Sequence, residues 1–79
     1  MDDRDTVRKF IEDLLRHKGD LDGFMDGDFL MTSGRLQSTD TVELILFLEE
    51  KYGIHFAELG FDQNELDSVD NIMTLIGTH

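Results

Sequence analysis

Apolar residues recur every three or four positions in the first part of the chain. The positions concerned are Val7, Phe10, Ile11, Leu14 and Leu15. This spacing places them on one face of a helix. Asp5 is a suitable N-cap and Gly19 a suitable stop, so the pattern predicts a first helix over residues 5–18.

A second helix is predicted from Ser38 or Thr39 to about Tyr52. Ser38 is a good N-cap, Asp40 suits the positive end of the helix dipole, and Gly53 supplies a stop. The expected inward stripe is Leu44, Ile45, Leu48 and Tyr52. Three further apolar residues exceed what one buried face needs, namely Val42, Leu46 and Phe47. Glu43, Glu49 and Glu50 are expected on the solvent side.

The remaining apolar pattern is shorter. Residues 54–56 read as an extended link, and residues 57–66 as one or two weak helical turns. Ser68 is predicted to cap a last helix over residues 69–76. The apolar side of that helix is Val69, Ile72, Leu75 and Ile76, with Met73 nearby. Because no segment alternates with a period of two, we expect an all-α fold, a small four-helix bundle of three main helices and one short helix.

A long loop is expected between the first two helices, over residues 19–37. It is rich in glycine and aspartate, which favour turns. The predicted anchors to the core are Phe24, Phe29, Leu30 and Leu36, and a short helical turn is expected near residues 26–31. Ordered loops of this length are usually functional.

Charge changes this picture most. The chain carries 18 acidic and seven basic residues, a net charge of −11, and residues 1–18 hold five of each sign. The rest is therefore strongly acidic, which disfavours nucleic acid and anionic membranes and attracts basic protein surfaces. Alternatively, the acidic excess serves only to keep the protein in solution.

No apolar run reaches the length of a membrane span, and the charged N-terminus does not resemble a signal peptide. We therefore expect a cytoplasmic location.

The residue types argue against a metal site or an enzyme. The loop aspartates fail the spacing of a calcium-binding EF-hand loop in every register. The chain has no cysteine, and its three histidines are scattered. No serine lies on a nucleophile elbow, and 79 residues leave little room for a substrate pocket. We therefore expect no metal site and no catalytic activity.

Ser38 follows the glycine-bearing loop and begins the most regular helix, a position where a serine is usually only a cap. Its surroundings change that interpretation: GRLQSTDTVEL at residues 34–44 is followed by LEEKYGI at residues 48–54. This resembles the acyl carrier protein family, in which a leucine-acid-serine step precedes a helix that ends in a glutamate pair, an aromatic residue, Gly and Ile. The resemblance covers about residues 29–76 and implies a single carrier domain over residues 1–79.

The resemblance implies that Ser38 carries a covalent 4'-phosphopantetheine, transferred from coenzyme A by a phosphopantetheinyl transferase. The arm's thiol would hold an acyl or aminoacyl group as a thioester and present it to partner enzymes. These are a cargo-loading ligase or synthetase and a downstream acyl or aminoacyl transferase, with a monomeric carrier expected. The implied partner-binding residues are Gln37, Thr39, Asp40, Val42, Glu43, Leu46 and Glu49.

Two positions depart from the family pattern. Gln37 stands where aspartate is usual, and Thr39 stands where leucine or methionine is common. Both positions lie where the transferase should dock, so a dedicated transferase is an alternative to a general-purpose one. FDQNE at residues 61–65, NI at residues 71–72 and SGRL at residues 33–36 are similar to D-alanyl carrier proteins. This favours an aminoacyl cargo over a fatty one used in lipid biosynthesis. The alternatives are an unmodified acidic interaction module that binds a basic partner through helix 2, and a calcium sensor.

Overall fold

The computed structural model describes residues 2–56, 60 and 62–78. The described part contains α1 (Asp3–His17), α2 (Ser38–Tyr52), a 3-10 helix (Gln63–Leu66) and α3 (Val69–Thr78), and no strand. The all-α prediction is therefore confirmed. The predicted weak turns over residues 57–66 are described only in part, as the 3-10 helix, because residues 57–59 and 61 lie outside the described residues.

The first helix begins two residues earlier than predicted. Asp2, not Asp5, is the N-cap, and its Oδ1 accepts a hydrogen bond from the Asp5 N–H at 2.9 Å. The helix ends at His17, with Lys18 as C-cap. The N–H of Gly19, at φ 82°, then donates to the Arg16 carbonyl at 3.0 Å. The positive φ favours glycine, so the predicted stop is confirmed.

The start of α2 corrects the predicted role of Ser38. Gln37 is the N-cap, with extended backbone at φ −110° and ψ 180°, and Ser38 is already the first helical residue. Asp40, in the first turn, accepts the Gln37 N–H on its Oδ2 at 3.0 Å. The side chain that caps this helix therefore comes from inside its first turn.

The other predicted ends hold with small shifts. Gly53 closes α2 in the left-handed conformation, at φ 68°, and its N–H donates to the Glu49 carbonyl at 3.0 Å. Ser68 caps α3 as predicted, since its Oγ accepts the Asn71 N–H at 3.1 Å. The helix continues to Thr78, two residues beyond the predicted end.

One hydrophobic core lies between the helices and the long loop. Its buried apolar members are Val7, Ile11, Leu14, Leu15, Leu30, Met31, Leu36, Leu44, Leu48, Ile54, Phe56, Leu66, Val69 and Ile72. Helix α1 packs on both α2 and α3, and the 3-10 helix packs on α3. The stripes predicted for α1 and α2 face this core, with Phe10, Ile45 and Tyr52 at its margin.

The loop is tied to the core at different points from those predicted. Leu30 and Leu36 are buried and Phe24 is half-buried, but Phe29 is 57% exposed, so it was wrongly predicted as an anchor. Met31 is buried in its place. Within the predicted range 26–31 the structure has no helix but hydrogen-bonded turns, one at residues 26–27 and another that begins at residue 30 and runs to residue 34.

Asp67 explains where the loop turns. This 2% exposed residue accepts the Met31 N–H on Oδ1 at 2.7 Å, and its two carboxylate oxygens also accept the N–H and hydroxyl of Thr32. Its main-chain carbonyl accepts the Leu30 N–H at 2.8 Å. The residue preceding the α3 cap thus fixes the loop by four hydrogen bonds.

A second tie joins α1, the loop and α3. Arg4 donates to Asp26 at 2.6 Å and to Asp70 at 2.8 Å, and Arg8 also donates to Asp26. The Arg8 guanidinium lies 4.6 Å from the centre of the Phe24 ring. Hydrogen bonding from Arg4 is the main influence that lowers the pKa of Asp26.

Among the described residues no helix is long and apolar enough to cross a bilayer.

Candidate functional site at the start of α2

Ser38 is exposed at the first position of α2. Its hydroxyl makes no hydrogen bond with any described residue, whereas Gln37 and Asp40 form the cap. The most ordinary role for a serine at this point is thus taken by other residues. What remains is an accessible hydroxyl at a helix N-terminus, where main-chain N–H groups and the dipole favour a negatively charged group.

Asp40 fixes the geometry around Ser38. Its Oδ2 accepts both the Gln37 N–H and, at 2.7 Å, the Lys18 ammonium, which also donates to the Arg35 carbonyl at 2.7 Å. Burial alone would raise the pKa of Asp40, but the Lys18 and Gln37 hydrogen bonds outweigh it and lower the pKa. Asp40 was predicted as a partner contact; its carboxylate is already occupied and joins the ends of α1 and α2.

The loop approaching Ser38 is held by a second ion pair. The Arg35 guanidinium donates to the two carboxylate oxygens of Asp20, at 2.8 and 2.9 Å. This fork geometry constrains both side chains more than a single contact would. The bond from Arg35 is the main influence that lowers the pKa of Asp20. Lys18 and Arg35 therefore order the segment that leads into the serine.

Ser38 has no activating base among the described residues. No histidine or carboxylate there hydrogen-bonds its hydroxyl, as nucleophilic catalysis by serine would require. His17 instead contacts the Asp13 carbonyl through Nδ1 at 2.7 Å, and His55 is exposed. The described residues also contain no cluster of three or more histidine, aspartate or glutamate side chains placed to hold a metal ion.

The exposed side of α2 consists of two adjacent rows of residues. Because a helix advances about 100° per residue, positions four, three and four apart follow one another along the same side. The serine row contains Ser38, Val42 and Glu49, with the partly buried Ile45 at its core edge, and the groove row contains Thr39, Glu43, Leu46 and Glu50. The two rows adjoin, because Val42 and Leu46 are four positions apart and therefore neighbours on the helix surface.

The groove row faces an open groove between α1 and α2, with a volume of about 630 Å³. Its apolar lining is Phe10 and Leu14 from α1 with Leu46 and Phe47 from α2. The rings of Phe10 and Phe47 stack at a centroid distance of 4.2 Å and an interplanar angle of 9°. Phe47 was predicted as surplus apolar surface; it is partly buried against α1 instead.

Several features of this site could not be found from the sequence pattern. Lys18 belonged to no motif, Arg35 lay within the GRLQSTDTVEL motif but was given no role there, and nothing in the sequence indicated the contribution of α1 to the groove. The one available signal was charge, because Arg35 is one of only two basic residues after Lys18. An isolated cation in an acidic stretch often has an internal partner, and here that partner is Asp20.

Compared with protein-family models, with curated proteins and with solved structures, the chain has no significant match in any of the three. The resemblance of residues 34–54 to carrier proteins accordingly stays a prediction from short motifs.

Proposed function

We propose that the chain is a carrier protein, which holds an acyl or aminoacyl group on a 4'-phosphopantetheine arm attached to Ser38. The observation that carries this proposal is the uncommitted, exposed Ser38 hydroxyl at the start of α2, within the GRLQSTDTVEL motif. A serine whose only role was capping would bond to the main chain at the helix end. Here Gln37 and Asp40 form the cap instead.

The surroundings of Ser38 suit a phosphodiester. The first N–H groups of α2 lie beyond the reach of the helix's own carbonyls, so they favour an anion at this end. In the transfer, the Ser38 oxygen bonds to the phosphorus next to the pantetheine of coenzyme A while the bond to the nucleotide phosphate breaks. The hydroxyl proton passes to a base of the transferase, since no base contacts Ser38 within the part of the chain that the structure describes. The arm, when attached, supplies a thiol for thioester formation.

The residues around the serine have separate tasks in this proposal. Gln37 and Thr39 are exposed and flank the hydroxyl, so they contact the transferase. Asp40 and Lys18 position the helix start. On the exposed side of α2, the enzymes that load and unload the arm meet Val42, Glu43, Leu46 and Glu49. The chain itself performs no catalysis.

The finer architecture belongs to the same proposal. We assign a four-helix bundle of acyl-carrier type, in which the 3-10 helix Gln63–Leu66 is the short helix and residues 19–37 are the long loop. The cargo is a small aminoacyl or specialised acyl group, and the carrier acts as a monomer in the cytoplasm. Its partners are a phosphopantetheinyl transferase, a cargo-loading ligase or synthetase, and an acyl or aminoacyl transferase.

The test is the intact mass of the protein after incubation with coenzyme A, magnesium and a broad-specificity phosphopantetheinyl transferase. Wild type should gain the mass of one phosphopantetheine, and Ser38→Ala should gain none. Ser33→Ala is the matched control, because it removes another exposed serine hydroxyl, outside the residues that contact the transferase, and should still be loaded.

Loading at Thr39, or of Ser38→Ala, would disprove the assignment of the site. If neither this transferase nor extract of the source cells adds the arm, the carrier proposal fails and the unmodified interaction module replaces it.

A further inference from the structure

Met31 joins the long loop to two other parts of the molecule. It is buried, and its main-chain N–H donates to Asp67, just before α3. Its Sδ lies 3.6 Å from the Thr41 hydroxyl, a donor that a thioether sulfur can accept weakly. Thr41 belongs to the first turn of α2, the helix that begins at Ser38. The thioether of Met31 is therefore a point at which the loop packs on the helix that carries the candidate site.

The segment leading into Ser38 depends on how Met31 is held. The Gly34 N–H donates to the Met31 carbonyl at 3.0 Å, and the Leu36 N–H donates to the Leu30 carbonyl at 2.9 Å. Leu30, Met31 and Leu36 are the buried apolar side chains of this segment. Moving the Met31 side chain out of the core would therefore loosen the approach to Ser38.

A thioether differs from the hydrocarbon side chains around it because it can be oxidised. Addition of one oxygen gives a sulfoxide, which is polar and accepts hydrogen bonds. In a closely packed core the new oxygen needs both space and a donor. The hydroxyl beside the sulfur, that of Thr41, also lies 3.1 Å from the Gln37 carbonyl. Since one proton cannot serve both acceptors, oxidation either expels the Met31 side chain or removes the hydroxyl bond to the N-cap of α2.

Exposure sets the order in which the loop methionines react. Met25 is 74% exposed and Met31 only 8%, so an oxidant reaches Met25 first. Met31 is nevertheless more open than its buried neighbours Leu30 and Leu36, at 1% and 2%. A sulfoxide on Met25 lies in water and displaces nothing. Of the two reactions, only the slower one at Met31 changes a packed contact.

We propose that Met31 is an oxidation switch, whose conversion to the sulfoxide releases the loop from the core and disorders the approach to Ser38. The oxidant is a hydroperoxide. Its outer oxygen bonds to Sδ while its O–O bond breaks, and the proton of that oxygen moves to the departing oxygen. The sulfur loses two electrons, and the peroxide leaves as water or an alcohol. Reduction of the sulfoxide by a methionine sulfoxide reductase restores the thioether and the contact.

The test treats the protein with dilute hydrogen peroxide. Peptide mass mapping gives the sulfoxide fraction at each methionine, and amide hydrogen exchange reports the order of residues 30–36. Exchange at the N–H groups of Met31, Thr32 and Leu36 should accelerate at least roughly tenfold as Met31 becomes oxidised, and not while only Met25 is oxidised. Reductases for both sulfoxide epimers, supplied with a dithiol, should restore the original exchange rates.

Matched leucine variants separate Met31 from the other methionines. Leucine is close to methionine in volume and cannot be oxidised, so Met31→Leu should keep its exchange rates in peroxide. Met25→Leu, and Met73→Leu at a partly buried position on α3, should stay as sensitive as the wild type. The comparison of sulfoxide fractions with exchange rates in the wild type decides the matter without any variant.

Slower loading of Ser38 is a further consequence, and this consequence rests on the proposed function. The Met31-oxidised protein should accept phosphopantetheine at least roughly fivefold more slowly, because the ordered approach is populated less often. Peroxide-treated Met31→Leu should load at its untreated rate. A protein that is never loaded, but whose exchange still responds to Met31 oxidation, would count against the carrier function and not against the switch.

The switch would be overturned by the absence of a Met31 sulfoxide in the folded protein. Unchanged exchange in protein whose Met31 is fully oxidised would also overturn it. So would equal sensitivity to peroxide of Met31→Leu and the wild type, because oxidation would then act through another residue.

Discussion

Capping at the start of α2 shows how a single residue's role depends on its exact place in the first turn. A serine before a helical pattern predicts a cap, and the pattern could not distinguish the cap position from the first helical position. The Gln37 N–H bond to Asp40 and the Lys18 contact decide the matter, and Lys18 lies 22 residues away from Asp40 in the chain. Such a contact leaves no trace in local periodicity.

The corrected cap predicts which substitution weakens the fold. Ser38→Ala removes a hydroxyl with no partner among the described residues and should change the free energy of unfolding by less than about 0.5 kcal/mol. Asp40→Ala removes the bonds to Gln37 and Lys18 and should cost about 1 kcal/mol. Urea unfolding followed by circular dichroism measures both. The reverse order of the two effects would restore Ser38 as the cap.

Asp67 is the buried polar residue on which the loop depends most. Asp67→Ala leaves the N–H groups of Met31 and Thr32 without their acceptor and should destabilise the protein by ~1–3 kcal/mol. Amide hydrogen exchange at residues 30–36 should accelerate. Asp70→Ala is the comparison, because Asp70 lies three residues further along the chain, is exposed and accepts only a hydrogen bond from Arg4 on its side chain. An equal loss in both variants would argue against a special role for Asp67.

The same carboxylate makes stability depend on pH. Burial by itself would raise the pKa of Asp67, but the hydrogen bonds from Thr32 and Met31 outweigh it, so the folded pKa is lowered. The stabilisation is therefore complete above the unfolded pKa of about 3.9 and is lost as the pH falls through the folded value. Asp67→Asn should flatten the fall in unfolding free energy below about pH 4. An unchanged acid slope would mean that other carboxylates cause it.

At the scale of elements, the sequence predicted the helices well and the loop poorly. The apolar stripes of α1 and α2 gave the correct faces because each needs only the 3.6-residue period. The loop is held by Asp67 and by ion pairs to Arg4, Arg8 and Arg35, which join residues far apart in the chain. Hydrophobicity alone could not rank Met31 above Phe29 as an anchor.

Replacing glycine by alanine should change the stability of the protein in opposite directions at two positions, Gly53 and Gly77. Gly53 ends α2 at φ 68°, which an alanine adopts at a cost of about 1–2 kcal/mol, although open space surrounds the position. Gly77 lies inside α3 with open space around it, so Gly77→Ala should stabilise the protein by up to ~1 kcal/mol. Thermal unfolding of both variants gives the two signs. A stabilised Gly53→Ala would contradict the left-handed end.

The candidate site was likewise predicted only where α2 alone determines it. Ser38, Val42 and Glu49 lie on one row, as a helical period requires. Glu43 and Leu46 adjoin this row and also line a groove to which α1 contributes Phe10. The pairing of the two helices forms that groove, and no pattern within α2 contains it.

For the whole molecule, the decisive property is how the few positive charges are used. Among the described residues, five of the seven basic side chains form salt bridges, namely Arg4, Arg8, Arg16, Lys18 and Arg35. Four of them bind aspartates of the loop or of the α2 start, and two of these, Lys18 and Arg35, order the segment that leads to Ser38. The surface keeps a large excess of acidic groups, which attracts basic partners and makes copies of the molecule repel one another.

This balance predicts that salt stabilises the fold at neutral pH. The molecule measures 33 × 27 × 20 Å, so at ~0.01 M salt, where charges act over about 30 Å, nearly all of its acidic groups repel one another. At ~0.15 M that range falls to about 8 Å, which weakens the repulsion but spares direct pairs such as Lys18–Asp40 at 2.7 Å. A gain on the order of 1 kcal/mol would raise the Tm by ~4–8 °C. The gain should vanish near the isoelectric point of about 4.3, where repulsion is absent. A Tm that falls with added salt at pH 7 would show instead that the ion pairs outweigh the repulsion.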